Sequence, residues 1–353
     1  MSVKTILKLN KRFRLPEHPF NVPAYDPASP EQTAGRSLAY AKWEYERAAD
    51  SLACYAPFYA PGDILFRKKV LDVGCGAGGK SIYYAEKWSA DVTGVELLEK
   101  YREQAEAFAM RRRIGPDPEE AEQFDPYGLD RTFRGSFRFV CCDAADTGFP
   151  SKSYDTIIMN DAFEHLADPE AVLAECARLL KPGGRMFMNF PPYGHPYGEH
   201  LSDLIGIPWV HKLFPEQQCL EAYRTLAEQL DENVQTDRNP GPVVSGAERI
   251  ALRLSKDESG ALKNSYINEM TLRRFSEIRS RAVPQLGLKP VLYREIPLRK
   301  WLAPLAKTPG IKERFVRMAV CVLEKTSPET QAKQNDPHKQ SSAEKNTKTA
   351  ENT

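Results

Sequence analysis

The stretch Val70-Leu-Asp-Val-Gly-Cys-Gly-Ala-Gly-Gly79 runs an apolar strand into a glycine turn. Gly74, Gly76 and Gly79 fit the spacing GxGxxG, which lets the backbone turn tightly and approach a ligand closely; dinucleotide-binding enzymes use the same spacing, so alone it is not diagnostic. Asp72 narrows the choice. Two residues ahead of Gly74, its carboxylate at the mouth of the turn would repel a pyrophosphate and favour an ammonium or sulfonium. The expected ligand is cationic.

Further acids follow at the ends of further apolar runs. After a helix-like segment (Lys80 to Trp88), Asp91-Val-Thr-Gly-Val leads into Glu96, 22 positions after Gly74. A carboxylate about 20 residues on, at the tip of the second strand, suits a pair of ribose hydroxyls. Phe137-Arg-Phe-Val-Cys-Cys ends in Asp143-Ala144, an acid at a third tip that can accept from an adenine amino group. Tyr154 to Asp161 reads as a fourth strand, followed by Glu164-His165-Leu166.

With these residues in place, the chain resembles the class I S-adenosyl-L-methionine-dependent methyltransferases, in particular the small-molecule, methyltransferase type 11-like subgroup. The resemblance runs from about Lys68 to Phe190, and weakly to Lys325. It implies a Rossmann-like, doubly wound α/β sheet of seven strands with the last strand antiparallel, an N-terminal helical lid and a cap insertion. It also implies S-adenosyl-L-methionine as cofactor. By motif, Gly74 and Gly76 would cradle the methionine part, with Asp72 on the ammonium directly or through water. Glu96 would hold the ribose and Asp143 the adenine amino group, Ala144 would lie against the ring, and Asn160 would face the methionine carboxylate. Two departures stand out: Glu96 replaces the commoner Asp, and the stretch before the third strand is enlarged.

Bulk properties agree with an intracellular enzyme. The 353 residues can bury a substantial core. Lys plus Arg number 49 against 48 Asp plus Glu, so no net charge steers the chain as a whole to nucleic acid or anionic membrane. Seven cysteines without zinc-type CxxC pairs suggest reduced thiols and a cytoplasmic setting. Cys141 and Cys142 should alternate across a strand as core fillers. With no apolar run near 18 residues, no spanning helix is expected.

Runs and breakers divide the chain into an N-terminal arm and helical lid (1–60), a cofactor-binding core (61–190), a substrate cap (191–268), C-terminal strands completing the core (269–326) and a disordered tail (327–353). Residues 1 to about 32 look extended. Their basic start, with Lys4, Lys8, Lys11, Arg12 and Arg14 among apolar residues, reads as a solvated arm and is compatible with peripheral membrane contact. From Thr33 to about Ala56, Leu38, Ala41, Tyr45, Ala48 and Leu52 recur at helical spacing, and Tyr40, Trp43 and Tyr45 are expected to pack onto the core, with substrate contact as the alternative. Asp168-Pro169 should open a helix burying Val172, Leu173, Cys176, Leu179 and Leu180. Pro191 to about Asn268 is too long for a loop and falls after the fifth strand, beside the carboxyl ends of the sheet, where open α/β sheets bind ligands. Leu288 to Pro297 and Phe315 to Lys325 should supply the last two strands.

Methyl transfer from a sulfonium depends mainly on orientation and water exclusion. Deprotonating the acceptor would call for a base. His165, His195 and His200 are the catalytic candidates, with His165 leading because it follows the fourth strand; each also has a structural reading, and His211 is a more distant choice. No metal is expected, since Asp161 and Glu164 alone do not make a carboxylate cluster. The acceptor is expected to be a small or lipid-like molecule, methylated on O, C or N, and no nucleic-acid partner is expected. A nicotinamide-dependent oxidoreductase shares the glycine turn but fits Asp72 and Asp143 poorly. A non-catalytic protein keeping the S-adenosylmethionine pocket as an interaction platform is the remaining alternative. The oligomeric state is not legible.

Overall fold

The structure, a computed structural model, describes residues 2–23, 38–112, 135–232 and 242–326. Its strands are β1 (Lys69–Val73), β2 (Asp91–Glu96), β3 (Ser136–Cys141), β4 (Tyr154–Asn160), β5 (Leu180–Phe190), β6 (Leu254–Lys256), β7 (Leu262–Asn264), β8 (Leu288–Pro297) and β9 (Val316–Lys325). Seven of them form one sheet in the order β3-β2-β1-β4-β5-β9-β8, and β6 and β7 pair separately. β1 to β5 are mutually parallel, whereas β9 is antiparallel to both its neighbours. This is the Rossmann-like, seven-stranded α/β sheet expected, with its last strand antiparallel.

Parallel strands covered on both faces read as continuous apolar runs, and β1 shows why. Leu71 and Val73 enter the core shared with α7 (Pro169–Leu179) and α11 (Leu272–Gln285). Val70 points to the opposite face, among residues of α3 (Ala48–Ala53), α4 (Pro61–Leu65) and α5 (Gly79–Trp88). α7 begins as its sequence requires. Asp168 accepts from the backbone N–H groups of Glu170 and Ala171 at 3.1 and 3.0 Å, and Pro169 occupies the first turn. Val172, Leu173, Cys176, Leu179 and Leu180 are all buried.

Several expectations change. The lid helix is two short helices, α2 (Ala39–Glu46) and α3, separated at Arg47; residues 24–37, including the start expected at Thr33, lie outside the described ones. Its buried stripe is Ala41, Glu44, Ala48 and Leu52. Tyr45 falls beside that stripe and donates to Glu86 instead. The N-terminal arm is not extended at its start: Val3–Asn10 forms α1, with Ile6 fully buried against α9 (Glu216–Glu232) and Lys4, Lys8 and Lys11 facing out. The mixed basic and apolar pattern is therefore an amphipathic helix whose apolar side the cap covers. Asn10 fastens it, donating to Leu204 O and accepting from Gly206 N–H, both at 2.8 Å. Cys141 is exposed rather than a core filler, because β3 is an edge strand.

The segment after β5 forms its own small unit from α8 (Val210–Leu213), α9, α10 (Gly246–Arg253) and the β6–β7 hairpin, around Leu201, Ile205, Val210, Leu220 and Tyr223. Two arginines of α10, Arg249 and Arg253, are fully buried on Asp203, which is also fully buried. Among the described residues, no helix is long and apolar enough to cross a membrane. The enlarged stretch before β3 (113–134) and the tail (327–353) lie outside them.

Candidate active site

The switch point of the sheet lies at β1, flanked by β2 on one side and β4 on the other, and open α/β sheets bind ligands outside the carboxyl ends of their strands at such a point. A cavity of about 1370 Å³ opens there. Gly74, Gly76, Glu96, Asp143, Ala144, Asn160, Glu164, His165, His195 and His200 all line it. Almost every residue singled out in the sequence thus meets in one space. The exceptions are Asp72 and the more distant candidate His211.

Gly74 and Gly76 have φ of +68° and +56°, in the left-handed region that favours glycine. The turn also sits too close to its neighbours for a side chain: a Cβ at Gly74 would lie 2.8 Å from Ala162 Cβ. Asp72 lies beneath this turn, 4 % exposed, where its Oδ2 accepts from Ser81 Oγ at 2.6 Å. Burial pushes its carboxyl up to about 6, against the pull of Ser81 and Lys80.

Glu96 is held by its own loop. Oε2 accepts from Gly76 N–H at 3.0 Å and Oε1 from the N–H groups of Leu97 and Leu98 at 2.9 and 3.3 Å. Burial raises its pKa while those bonds lower it. At the third strand tip, Asp143 accepts from Ala145 N–H at 2.8 Å. Asn160, at the tip of β4, is 6 % exposed and committed to a buried network. Its Oδ1 accepts from Tyr55 OH at 2.8 Å and Asn189 Nδ2 at 2.6 Å, so its amide is locked in orientation where it meets the cavity.

Glu44 was not singled out in the sequence. α2 lies across the glycine turn, and Glu44 Oε2 accepts from Gly79 N–H at 3.2 Å, the first N–H of α5. A Cβ at Gly76 would come within 2.5 Å of Glu44 Oε1. Burial pushes this carboxyl up to about 8, against Lys80 and the Gly79 N–H. An acidic residue on the buried stripe of an amphipathic helix was the available signal, since a buried acid requires a partner.

At the other end of the cavity the histidines gather. His18, His165, His195 and His200, four of the six in the chain, line it, so the arm, the β4 turn and the cap all contribute. His165 Nδ1 lies 2.8 Å from Tyr266 O, and the His165 and His200 rings meet edge to face at 4.8 Å. Burial lowers all four, His18, His165 and His195 to about 4, and His200 well below its usual value. Burial thus favours the neutral form of each; the lone pairs on Nδ1 of His18 and His195 are taken by the N–H groups of Phe20 and Tyr197, at 3.2 and 3.1 Å. His211 is instead buried in the cap on Glu199, at 2.7 Å.

The strand order and the glycine turn after β1 define a Rossmann-like fold with its cavity at the switch point. Residues 71–188 match the family model described as "Methyltransferase domain", so this segment is similar to the class I S-adenosylmethionine-dependent methyltransferases that the sequence resembles. The chain is 35 % identical over 127 residues to "Ubiquinone biosynthesis O-methyltransferase" of Idiomarina loihiensis, which covers 36 % of this chain and 44 % of that protein. It is 31 % identical over 122 residues to "Phosphoethanolamine N-methyltransferase 1" of Arabidopsis thaliana, covering 35 % and 21 %. The chain thus spans less than half the length of either relative. Among solved structures, geranyl diphosphate C-methyltransferase from Streptomyces coelicolor A3(2) aligns over 92 % of this chain and 98 % of that one, at 14 % identity and a TM-score of 0.44.

Proposed function

We propose that this protein transfers a methyl group from S-adenosylmethionine to a small or lipid-like acceptor by direct displacement, in the cytoplasm. The observation that carries the reading is the continuity of the cavity: one space joins the glycine turn and its acids to the histidine-lined end beneath the cap. Glu96, braced by three backbone N–H groups, is oriented to accept from the two ribose hydroxyls. Asp143 and Ala144 take the adenine, and Gly74 and Gly76 the methionine part. Asp72, one layer beneath, acts on the ammonium through water, and the locked amide of Asn160 faces the carboxylate. The sulfonium methyl is then directed towards His165, His195 and His200.

The acceptor is not inherited from the relatives. By name they are an O-methyltransferase and an N-methyltransferase acting on different molecules, and the family match ends at residue 188, before the cap that forms the acceptor end. Acceptor choice is therefore assigned to residues 191–268. The test has two parts. Calorimetry should show S-adenosylmethionine binding that weakens at least tenfold in Glu96→Ala, since charge-assisted hydrogen bonds contribute about 1.5–3 kcal/mol each. Methyl-labelled cofactor incubated with cell-extract metabolites should then label a small molecule, identified by mass. Unchanged affinity in the variant, or labelling of macromolecules alone, would overturn the reading.

A further inference from the structure

Glu164, His165 and His200 meet on the cavity wall. Glu164 Oε1 lies 3.9 Å from Nε2 of each histidine, and the three ligand atoms all fall within 4.8 Å of one another. Glu164 is 3 % exposed, yet neither of its oxygens has a hydrogen-bond partner among the described residues. An unpaired buried carboxyl is costly, and here it points between two imidazole nitrogens.

The surroundings hold this arrangement in place. The Tyr266 carbonyl can only accept, so His165 Nδ1 carries the hydrogen and Nε2 presents its lone pair towards Glu164. A ring nitrogen that donates to a backbone carbonyl while the other faces an acid is the usual support of a metal-ligating histidine. The turn bearing Glu164 is tied down by Asn268, whose N–H donates to Glu164 O and whose Nδ2 donates to Phe163 O and Leu166 O, each at 2.8 Å. His200 has φ +55°, a strained conformation for a non-glycine residue. It is clamped by its own N–H to Tyr197 O at 3.1 Å and by Arg253 Nε to its carbonyl at 2.9 Å. Three separate devices thus fix two imidazoles and one carboxylate on one side of a cavity.

We propose that Glu164, His165 and His200 bind a divalent first-row transition ion, of the zinc or manganese kind, with its remaining positions open to the cavity. Two imidazoles with one carboxylate suit such an ion better than magnesium or calcium, which prefer all-oxygen sites. Metal–ligand bonds of about 2.1 Å place neighbouring ligand atoms roughly 3.0–3.4 Å apart, so the two 3.9 Å separations close by less than about 1 Å and the remaining one, within 4.8 Å, by at most about 1.8 Å, a shift that side-chain rotation supplies. No metal was expected from the sequence, where Asp161 and Glu164 alone made no carboxylate cluster; His200 lies 35 positions beyond His165, and only the fold of the cap brings it back.

The catalytic consequence rests on the methyl-transfer reading; the binding does not. An acceptor hydroxyl ligated by the ion would lose its proton to water more readily. Its oxygen would attack the methyl carbon as the carbon–sulfur bond breaks, the bonding pair passing to sulfur to give S-adenosylhomocysteine. His165 would then be a ligand rather than the base.

The test uses full-length protein treated with chelator and titrated without cofactor, with Zn²⁺ by calorimetry and Co²⁺ by its visible absorption. One ion per chain is expected, with Mg²⁺ at least a hundredfold weaker. Glu164→Gln and His200→Asn should each weaken Zn²⁺ by at least tenfold, while His195→Asn should leave it within about threefold. Should Glu164→Gln fold poorly by circular dichroism, His200→Asn carries the comparison. Absence of stoichiometric Zn²⁺ binding in the wild type, or binding indifferent to both substitutions, overturns the proposal. S-adenosylmethionine is titrated separately: if Zn²⁺ binds as expected and the cofactor does not, the methyl-transfer reading fails and the metal site stands.

Discussion

Replacing Glu44 by glutamine should make the ligand-free protein more stable in alkali. Glu44 is 5 % exposed at the amino end of α5, and burial holds its carboxyl at about 8 instead of 4.5. The groups facing it are Lys80, which favours its charged form, and Asp72 and Glu96, which oppose it. Because the folded pKa is raised, the contribution is fully present below about 4.5 and is lost as pH rises through about 8. The unfolded chain releases this proton early and the folded one holds it. Linkage puts the loss at about 3 kcal/mol by pH 7 and roughly 5 kcal/mol by pH 9. Asp72, raised from 3.8 to about 6, adds a slope of the same sign at lower pH that glutamine at 44 leaves intact. Burial also raises Glu96, Glu164 and Glu199, but these are common to both proteins, so the difference from Glu44→Gln isolates Glu44. Urea unfolding at pH 5, 6, 7, 8 and 9 should show the wild type falling steadily behind Glu44→Gln above pH 6. Parallel profiles across that window would refute the argument. The same acid predicts that a cationic cofactor releases protons on binding near neutral pH, by an amount that shrinks in the variant. Calorimetry in two buffers of different ionisation heat measures it.

Gly74→Val should abolish S-adenosylmethionine binding in calorimetry, because the residue sits at φ +68° and its Cβ would lie 2.8 Å from Ala162 Cβ; wild-type affinity would place the cofactor elsewhere. Asp203→Asn should cost about 3–5 kcal/mol in denaturant unfolding, since it strips the anion from two fully buried guanidiniums, those of Arg249 and Arg253. A loss below about 1 kcal/mol would mean that Tyr223, Phe20 and the neighbouring carbonyls suffice to hold them.

The sheet was legible because its strands are buried on both faces and its helices on one. Val70 to Val73 could hardly be anything but a central strand, and the Asp168-Pro169 start and apolar spacing of α7 state their own register. The acids at the strand tips were legible for the same reason, since a strand's end locates its next residue at the mouth of the cavity. What escaped was every contact made across the chain. Glu44 reaches Gly79 from 35 positions away and His165 meets Tyr266 from 101. The basic amino terminus looked solvated because the surface that covers Ile6 lies in a helix more than 200 residues later. Asp203 with Arg249 and Arg253 likewise reads as three surface charges until the cap folds.

The two ends of the cavity differ in how they are built, and this bears on how such a site can change. The cofactor end is largely local: Gly76, Glu96, Leu97 and Leu98 bond one another within a short span of chain, while Tyr40, Glu44 and Tyr55 reach it from the helices before β1. The acceptor end is a seam. Glu164 and His165 belong to the turn after β4, while His200, Tyr266 and Asn268 belong to the segment after β5. Three hydrogen bonds cross the seam from Asn268, and His165 crosses it to Tyr266. The arm is sewn in as well, through Arg249 to Phe20 O at 2.6 Å. A substitution in the cap can therefore shift the histidine cluster relative to the strand tips without moving the backbone that holds the nucleoside. The family match covers the glycine turn and the strand tips together with Glu164 and His165, whereas Glu44, His195, His200 and Tyr266 lie outside it.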